Sequence, residues 1–341
     1  MSALGRSSGI SHPGRRRRRN EDAWVCHPPL FAVADGMGGA RGGEIASRVA
    51  ATALGENVDG SGEARVVALI QEANRQVYER AREDSDASGM GTTITVALFE
   101  NGIVSIGHVG DSRAYLIRDR KVDQLTEDHS LVAELVRSGR LSPEEAESHP
   151  QRSVITRALG TDPDVDVDTF SVEAKPGDLF LICSDGLTSM VGDEEILDVV
   201  EPRRDNLDEA AKELVAAANR NGGEDNITVV FFEVVADGAE APSKTEPMPA
   251  LDLAAPPKLD EDTLTEVDRV PVIDTMVVPP EEARSMAASM PADGVSQPEA
   301  VAEEEPEPQP NFGAQAARMI IALAVVAALL VLVYWLYGQS Q

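Results

Sequence analysis

NGIVSIGHVGDSRAYLIRDRKV, residues 101–122, is where the fold class can be read. Two runs rich in Val, Ile and Leu are punctuated by Asn101-Gly102, Gly110-Asp111 and Asp119-Arg120. Short β-branched runs bounded by turn residues read as strands, and this stretch reads as an antiparallel meander. Runs of the same kind recur as LFAVA (30–34), TTITVALFE (92–100), LFLICS (179–184) and NITVVFFEVV (226–235). Between them lie stretches with helical spacing. Glu63 to Glu83 carries Val67, Ile70, Ala73, Val77 and Ala81 on one side. Further helices are predicted over 44–54, 130–137 and 206–219. Ser142-Pro143-Glu144-Glu145 reads as a capping box with Pro at the first helical position. Strands and helices do not alternate regularly, which points to an α+β sandwich over a doubly wound sheet.

The chain has 341 residues and a net charge of −29, and the acid is unevenly spread. Residues 237–312 hold 18 Asp or Glu against 4 Lys or Arg, and 13 of the 21 prolines. Such a segment has too little apolar surface to offset the cost of ordering, so 237–317 is expected to be a disordered linker. A globular catalytic domain is expected over 1–236. MIIALAVVAALLVLVYWLYG, residues 319–338, is free of charge, long enough to cross a bilayer, and ends in Tyr334, Trp335 and Tyr337. A transmembrane helix over 318–338 with a tail at 339–341 is the expectation; a buried core helix is the competing reading. The N-terminus has no apolar h-region, so the domain before the span is expected on the cytoplasmic side of the cell membrane. Cys26 and Cys183 lie far apart in the chain, and Cys183 sits inside an apolar run, as a buried free thiol would.

Carboxylates fall at the ends of the predicted strands. Asp35 follows LFAVA, Asp111 follows GHVG, Asp185 follows LFLICS, Asp225 precedes NITVV, and Glu21 and Asp22 precede a short apolar stretch. Each alone has an ordinary reading, since Asp-Gly is a common turn pair. Together, if the strand ends converge, they would repel one another without a cation. Hard oxygen donors without His or Cys select magnesium or manganese over zinc. Two ions sharing a carboxylate make a site for phosphoester hydrolysis. DGMGGARGGE, residues 35–44, would let backbone approach an ion, with Gly36 offering its carbonyl. It lacks the Lys-Ser/Thr pair of a nucleotide-binding loop.

RRRNED, ADGMGGARGGEIAS, GMGTTITVAL, HVGDSRAYLI, LTEDHSLV, SHPQRSVITRALG, LICSDGLTSMV and GGEDNITVVFFEV together, over about residues 5–236, resemble the bacterial metal-dependent protein Ser/Thr phosphatases of the PPM, or protein phosphatase 2C, type. The acidic linker and terminal span resemble the membrane-anchored members that oppose Ser/Thr kinases. The resemblance implies a central antiparallel β-sandwich flanked by helices in four αββα layers, with the metals at one end. It implies two bound Mn2+ or Mg2+ ions and room for a third. Asp35 would bridge the two metals, with the Gly36 carbonyl beside it. Asp185 and Asp225 would bind the first, Glu21 would reach the second through water, and Asp22 would hold catalytic water. Asp111 would hold the third ion, with Ser153 near it. Residues 137–152 would form a flap that affects substrate choice. His108 reads as a core residue and His129 as a loop anchor.

Arg15 to Arg19 form a run of five. The family spacing Gly-x-x-Arg-x-x-Asn-Glu-Asp falls on Gly14, Arg17, Asn20, Glu21 and Asp22, so the resemblance implies that Arg17 binds the substrate phosphate. Arg16 or Arg18 could take its place, and the remaining arginines read as solvated or as contacts for anionic lipid or acidic substrate. The implied reaction is in-line attack on phosphoserine or phosphothreonine by water activated between the two metals, without a covalent intermediate. Met37 stands where relatives often carry His, which leaves the leaving-group acid unassigned. The implied partners are phosphoprotein substrates, a cognate Ser/Thr kinase and the membrane. A phosphoprotein-binding pseudophosphatase is the alternative; the intact Asp35, Asp185 and Asp225 argue against it. Nucleic acid is a poor partner for so acidic a chain. The residues give no sign of an oligomer. Thr263, Thr265 and Thr275 in the linker are candidate phosphosites.

Overall fold

A computed structural model describes residues 2–38, 42–83, 89–147, 149–238, 276–278 and 286. In chain order the strands are β1 (Ser2–His12), β2 (Asp22–His27), β3 (Leu30–Met37), β4 (Gly91–Thr92), β5 (Ile94–Glu100), β6 (Ile103–Val109), β7 (Arg113–Arg118), β8 (Lys121–Gln124), β9 (Val154–Ile155), β10 (Asp168–Glu173), β11 (Leu179–Cys183), β12 (Ile227–Ala236) and β13 (Met276–Val277). The helices are α1 (Gly42–Ala53), α2 (Gly62–Glu83), α3 (Leu131–Arg137), α4 (Pro143–Glu147), α5 (Asp185–Thr188), α6 (Asp193–Val200) and α7 (Leu207–Arg220).

Two antiparallel sheets carry the fold. One runs β1-β12-β11-β7-β8, the other β10-β6-β5-β3-β2, with β4 joined to β3. Their inner faces meet in a core of Phe31, Val33, Ile106, Phe180, Val230 and Phe232. Phe232 stacks between Phe31 and Phe180, with ring centroids 4.2 and 4.8 Å away. The outer faces are apolar too. Ala32, Ala34 and Val96 lie under α1 and α2, and Leu181, Val229 and Phe231 lie under α6 and α7. The period of two along β12 sends Ile227, Val229 and Phe231 toward the helices and Val230 and Phe232 toward the other sheet. A strand covered on both faces reads as a continuous apolar run, as NITVVFFEVV does. The result is the expected α+β sandwich with helices on both sides.

The predicted helices form within a residue or two of their expected ends. Ser142 and Glu145 make the reciprocal capping bonds: Glu145 N–H donates to Ser142 Oγ at 3.2 Å and Ser142 N–H to Glu145 Oε2 at 2.9 Å. The opening stretch corrects its own reading. β7 and β8 pair as a hairpin, but β6 belongs to the other sheet. The chain crosses between sheets at Gly110, whose φ of +115° suits glycine and whose Cβ would stand 2.4 Å from that of Thr93. That crossing sets Asp111 between the sheets. Asp35 is also not at a strand end. β3 continues to Met37 because Gly36 and Met37 pair with Thr92 and Gly91. β1 and β10 went unpredicted, being polar edge strands whose apolar alternation is weak.

Of residues 237–317, read above as linker, the structure describes 237–238, 276–278 and 286. Met276 and Val277 are strand where composition predicted none, and they pair in parallel with β9. The span at 318–338, the tail at 339–341 and Thr263, Thr265 and Thr275 lie outside the described residues. Among those residues, no helix is long and apolar enough to cross a membrane.

Candidate active site

The site forms at one end of the sandwich, where β2, β3, β11 and β12 deliver carboxylates. Asp22 opens β2 and stands directly across the ladder from Asp35 on β3. Two like charges at opposed positions of an antiparallel pair oppose the pairing. Asp185 is the first residue of α5, one step beyond the N-cap Ser184 that follows β11. Asp225 lies in the turn before β12, the partner of β11. Asp111 is buried at the sheet crossing, 9% exposed. Glu21 immediately precedes β2.

Hydrogen bonds fix several of these. Asp22 Oδ2 accepts from Ser184 Oγ at 2.8 Å and from Thr228 Oγ1. Its Oδ1 is buried and without a hydrogen-bond partner, as is Asp185 Oδ1. Buried polar atoms are normally satisfied, so two orphaned carboxylate oxygens at one site need an explanation. Glu21 N–H donates to Asn226 Oδ1 at 2.7 Å. The Glu21 carboxylate and the Gly36 carbonyl converge on the N-terminus of α1. A Cβ on Gly43 would come within 2.7 Å of both Glu21 Oε2 and Gly36 O.

The electrostatics agree with this crowding. Burial, then the charge of Asp225, pushes Asp185 from 3.8 up to about 6. Burial, opposed by the Thr228 and Ser184 hydroxyls and reinforced by Asp225 and Asp185, takes Asp22 to about 7. Glu21 also rises to about 7, chiefly through burial and against the pull of Arg17. Asp35 is raised well above its ordinary value by burial and by the charges of Asp22, Asp185, Asp225 and Asp111. Asp111 is raised likewise, by burial and then by Asp185. Among the described residues, no three His, Cys, Asp or Glu side chains close on one point as a ready metal cage. The carboxylates stand around a common space, each within electrostatic reach of others. An all-oxygen donor set with unsatisfied buried oxygens fits a hard divalent cation.

The arginine run resolves into separate roles. Arg17 is the member at the site: its NH2 donates to Asp225 Oδ2 at 2.8 Å. Arg16 pairs with Glu224 at 3.1 Å. Arg15 is held by backbone, its N–H donating to Gly223 O at 2.8 Å. Ser153 lies in the half-buried turn before β9 and makes none of the hydrogen bonds that tie the other site residues together. His129 anchors a loop, as expected: its Nδ1 accepts from Gly110 N–H at 3.0 Å, and its own N–H donates to Gly110 O at 2.7 Å. His108 is a buried core residue, its ring nitrogens at Thr95 Oγ1 and Glu127 O.

Three supporting residues were not anticipated. Asn226 binds Glu21 N–H through its oxygen, and its Nδ2 donates to Arg19 O at 2.8 Å and Pro13 O at 3.0 Å. It thus staples the loop that carries Arg17 and Glu21 to β12. Ser184 and Thr228 aim Asp22. All three adjoin Asp185 or Asp225 in GGEDNIT and CSDG, and that adjacency was the available signal.

Residues 11–219 match the family model described as Protein phosphatase 2C. The chain belongs to that family. It is 42% identical over 233 residues to the serine/threonine phosphatase stp of Listeria welshimeri, covering 64% of this chain and 92% of that protein. It is 39% identical over 243 residues to the protein phosphatase PhpP of Streptococcus pneumoniae, covering 68% of this chain and 98% of PhpP. Among solved structures, the Mycobacterium tuberculosis serine/threonine phosphatase PstP superposes with a TM-score of 0.64 at 40% identity, over 68% of this chain and 99% of that one. The catalytic domain of PstP in complex with two manganese ions gives 0.64 at 37% identity, over 69% and 100%. These protein phosphatase 2C relatives share the sandwich whose end carries the carboxylates.

Proposed function

We propose that this chain is a protein serine/threonine phosphatase that hydrolyses phosphoserine and phosphothreonine with two divalent cations, manganese or magnesium. The observation that carries this reading is the set of crowded carboxylates at Asp22, Asp35, Asp111 and Asp185, two of them with an orphaned buried oxygen. A fold that keeps these charges together without a cation would be destabilised by them. Asp35, Asp185 and Asp225 would hold one ion, Asp35, the Gly36 carbonyl and Glu21 the other, and Asp111 a third. When bound, such ions acidify water and neutralise charge on phosphoryl oxygens.

The side chains then divide the remaining work. Arg17 presents a planar fork to the phosphoryl oxygens, and its salt bridge to Asp225 keeps that fork at the site. Asp22 is held by two hydroxyls on Oδ2, and its Oδ1 is left to accept a proton from attacking water. No thiol competes with water as nucleophile. Cys183 is buried and its thiol is pushed up to about 12, so it carries almost no thiolate near neutral pH. Met37 cannot donate a proton to the leaving oxygen, which takes it from solvent.

The reading extends to location. The uncharged stretch 319–338 supports a single-pass anchor, with the catalytic domain on the cytoplasmic side facing substrates of a cognate Ser/Thr kinase. Carbonate extraction of membranes tests the anchor: the full chain should stay in the pellet. Hydrolysis of a phosphothreonine peptide with manganese, with magnesium and with EDTA tests the chemistry. Release should need metal and should vanish in Asp185→Asn; release that persists in EDTA would sink the reading.

A further inference from the structure

Met276–Val278, separated from β12 by about forty residues of sequence, is seated against β9, just after the expected flap at 137–152. Met276 and Val277 pair with Val154 and Ile155 of β9 in parallel register, and Val278 N–H donates to Ile155 O at 2.9 Å. Period two then splits the side chains. Val277 packs with Met37, Ile155 and Ala158. Val278 is 5% exposed and packs with Leu131, Leu135 and Val154, and Met286 lies against the same cluster. One face of this short strand therefore touches Met37, next to the Gly36 carbonyl, and the other touches α3.

The segment around β9 has other ties as well: Ile155 packs with Met37 and Ala158, and Ser130 bridges Ile155. Arg152 reaches Glu224 at 3.4 Å, a long, half-buried contact worth little by itself. The cluster of Leu131, Leu135 and Val154 is small, and Val278 is one of its buried members. Burying a valine and pairing a strand edge are large contributions on that scale.

We propose that Met276–Val278 are a strap: by adding a strand to β9 they lock residues 131–155 against β3 beside the active site, and their release frees that segment, with the expected flap at 137–152 inside it, and weakens the hold on protein substrates. The exchange arm of the test below is independent of the phosphatase reading, and only the kinetic arm rests on it.

The experiment is hydrogen exchange on the full chain, wild type against Val278→Asp, with Val278→Ala as a milder partner. Val278 packs with Leu131, Leu135 and Val154 and is neither one of the site carboxylates nor Arg17, so neither variant removes a proposed metal or phosphate ligand. In the wild type the Val278 amide should be protected. In Val278→Asp, exchange at 276–278 and at 131–155 should both quicken by roughly 10- to 100-fold, with Val278→Ala between. KM for a phosphothreonine peptide should rise several-fold while hydrolysis of 4-nitrophenyl phosphate stays within about twofold, since a small ester needs no flap. An unprotected Val278 amide in the wild type, or flap exchange unmoved by Val278→Asp, would overturn the strap. A loosened flap with unchanged peptide KM would overturn its control of substrate.

Discussion

Strand β11 carries an aspartate just beyond each end, and the two live in opposite worlds. Asp178 precedes the strand and is 2% exposed. It accepts from Arg118 Nε and NH2 at 2.6 Å each and from Lys175 N–H at 2.7 Å. Asp185 follows the strand and has Asp225, Asp35 and Asp22 for company, with one oxygen unpartnered. The first aspartate is finished by the protein: fork, amide and charge are all supplied. The second is crowded by its own kind, and on the proposed reading a divalent cation completes it. Five residues of strand separate structural carboxylate from functional carboxylate, and the residue type does not tell them apart.

The sharpest break in this comparison comes from Asp185→Asn. Phosphopeptide hydrolysis should fall by roughly 10³-fold, because the proposed reading makes Asp185 a ligand of the metal pair. The metal-free protein should instead melt a few degrees higher, because a repelling charge is gone. A variant that loses both activity and metal-free stability would show that Asp185 belongs with Asp178 after all. The mirror experiment is Arg118→Met. Leaving Asp178 buried without its partner should cost about 3 kcal/mol in denaturant melts, with activity per folded molecule unchanged.

The pH response separates the two ends next. In the metal-free protein, Asp185, Asp22 and Glu21 have folded pKa values of about 6 to 7, above their ordinary 3.8 to 4.5. The folded state then holds more protons between pH 4 and 7, so their contribution to stability grows as pH falls through that window. Bound divalent cation requires deprotonated ligands and reverses the trend. His108, lowered by burial to about 3, acts the other way, its contribution being lost as pH falls below 6.5. Melts at pH 5 and 7.5 in EDTA should therefore show a pH slope that Asp185→Asn shifts and manganese inverts. An identical slope in wild type and variant would remove Asp185 from the coupled set. The smallest effect is expected of Arg17→Lys. Losing the planar fork while keeping the charge should cost roughly 10-fold in kcat/KM for a phosphopeptide, with Arg16→Lys near wild type.

Much of the fold was legible. Strands covered on both faces and amphipathic helices write their burial into local pattern, and NITVVFFEVV and residues 63–83 did so. Polar edge strands such as β1 did not, because pairing on one side demands little of their side chains. The meander over 101–122 was misread because the pattern marks strands and turns but not which sheet each strand joins. That choice rests on where Gly110 lets the chain cross.

The site divides in the same way. Residue type and spacing in this chain determined which carboxylates could serve a metal, and the family resemblance singled out Arg17 from the five arginines while leaving Arg16 and Arg18 open. Tertiary structure decided the rest. It placed Arg17 at the site through its bond to Asp225, set Asn226, Ser184 and Thr228 to aim the acids, and laid Met276–Val277 beside β9. Those are contacts between residues tens to hundreds of positions apart, and no local period records them. Charge and hydrophobicity are properties of a residue and can be read singly; a hydrogen-bond partner is a property of the closed fold.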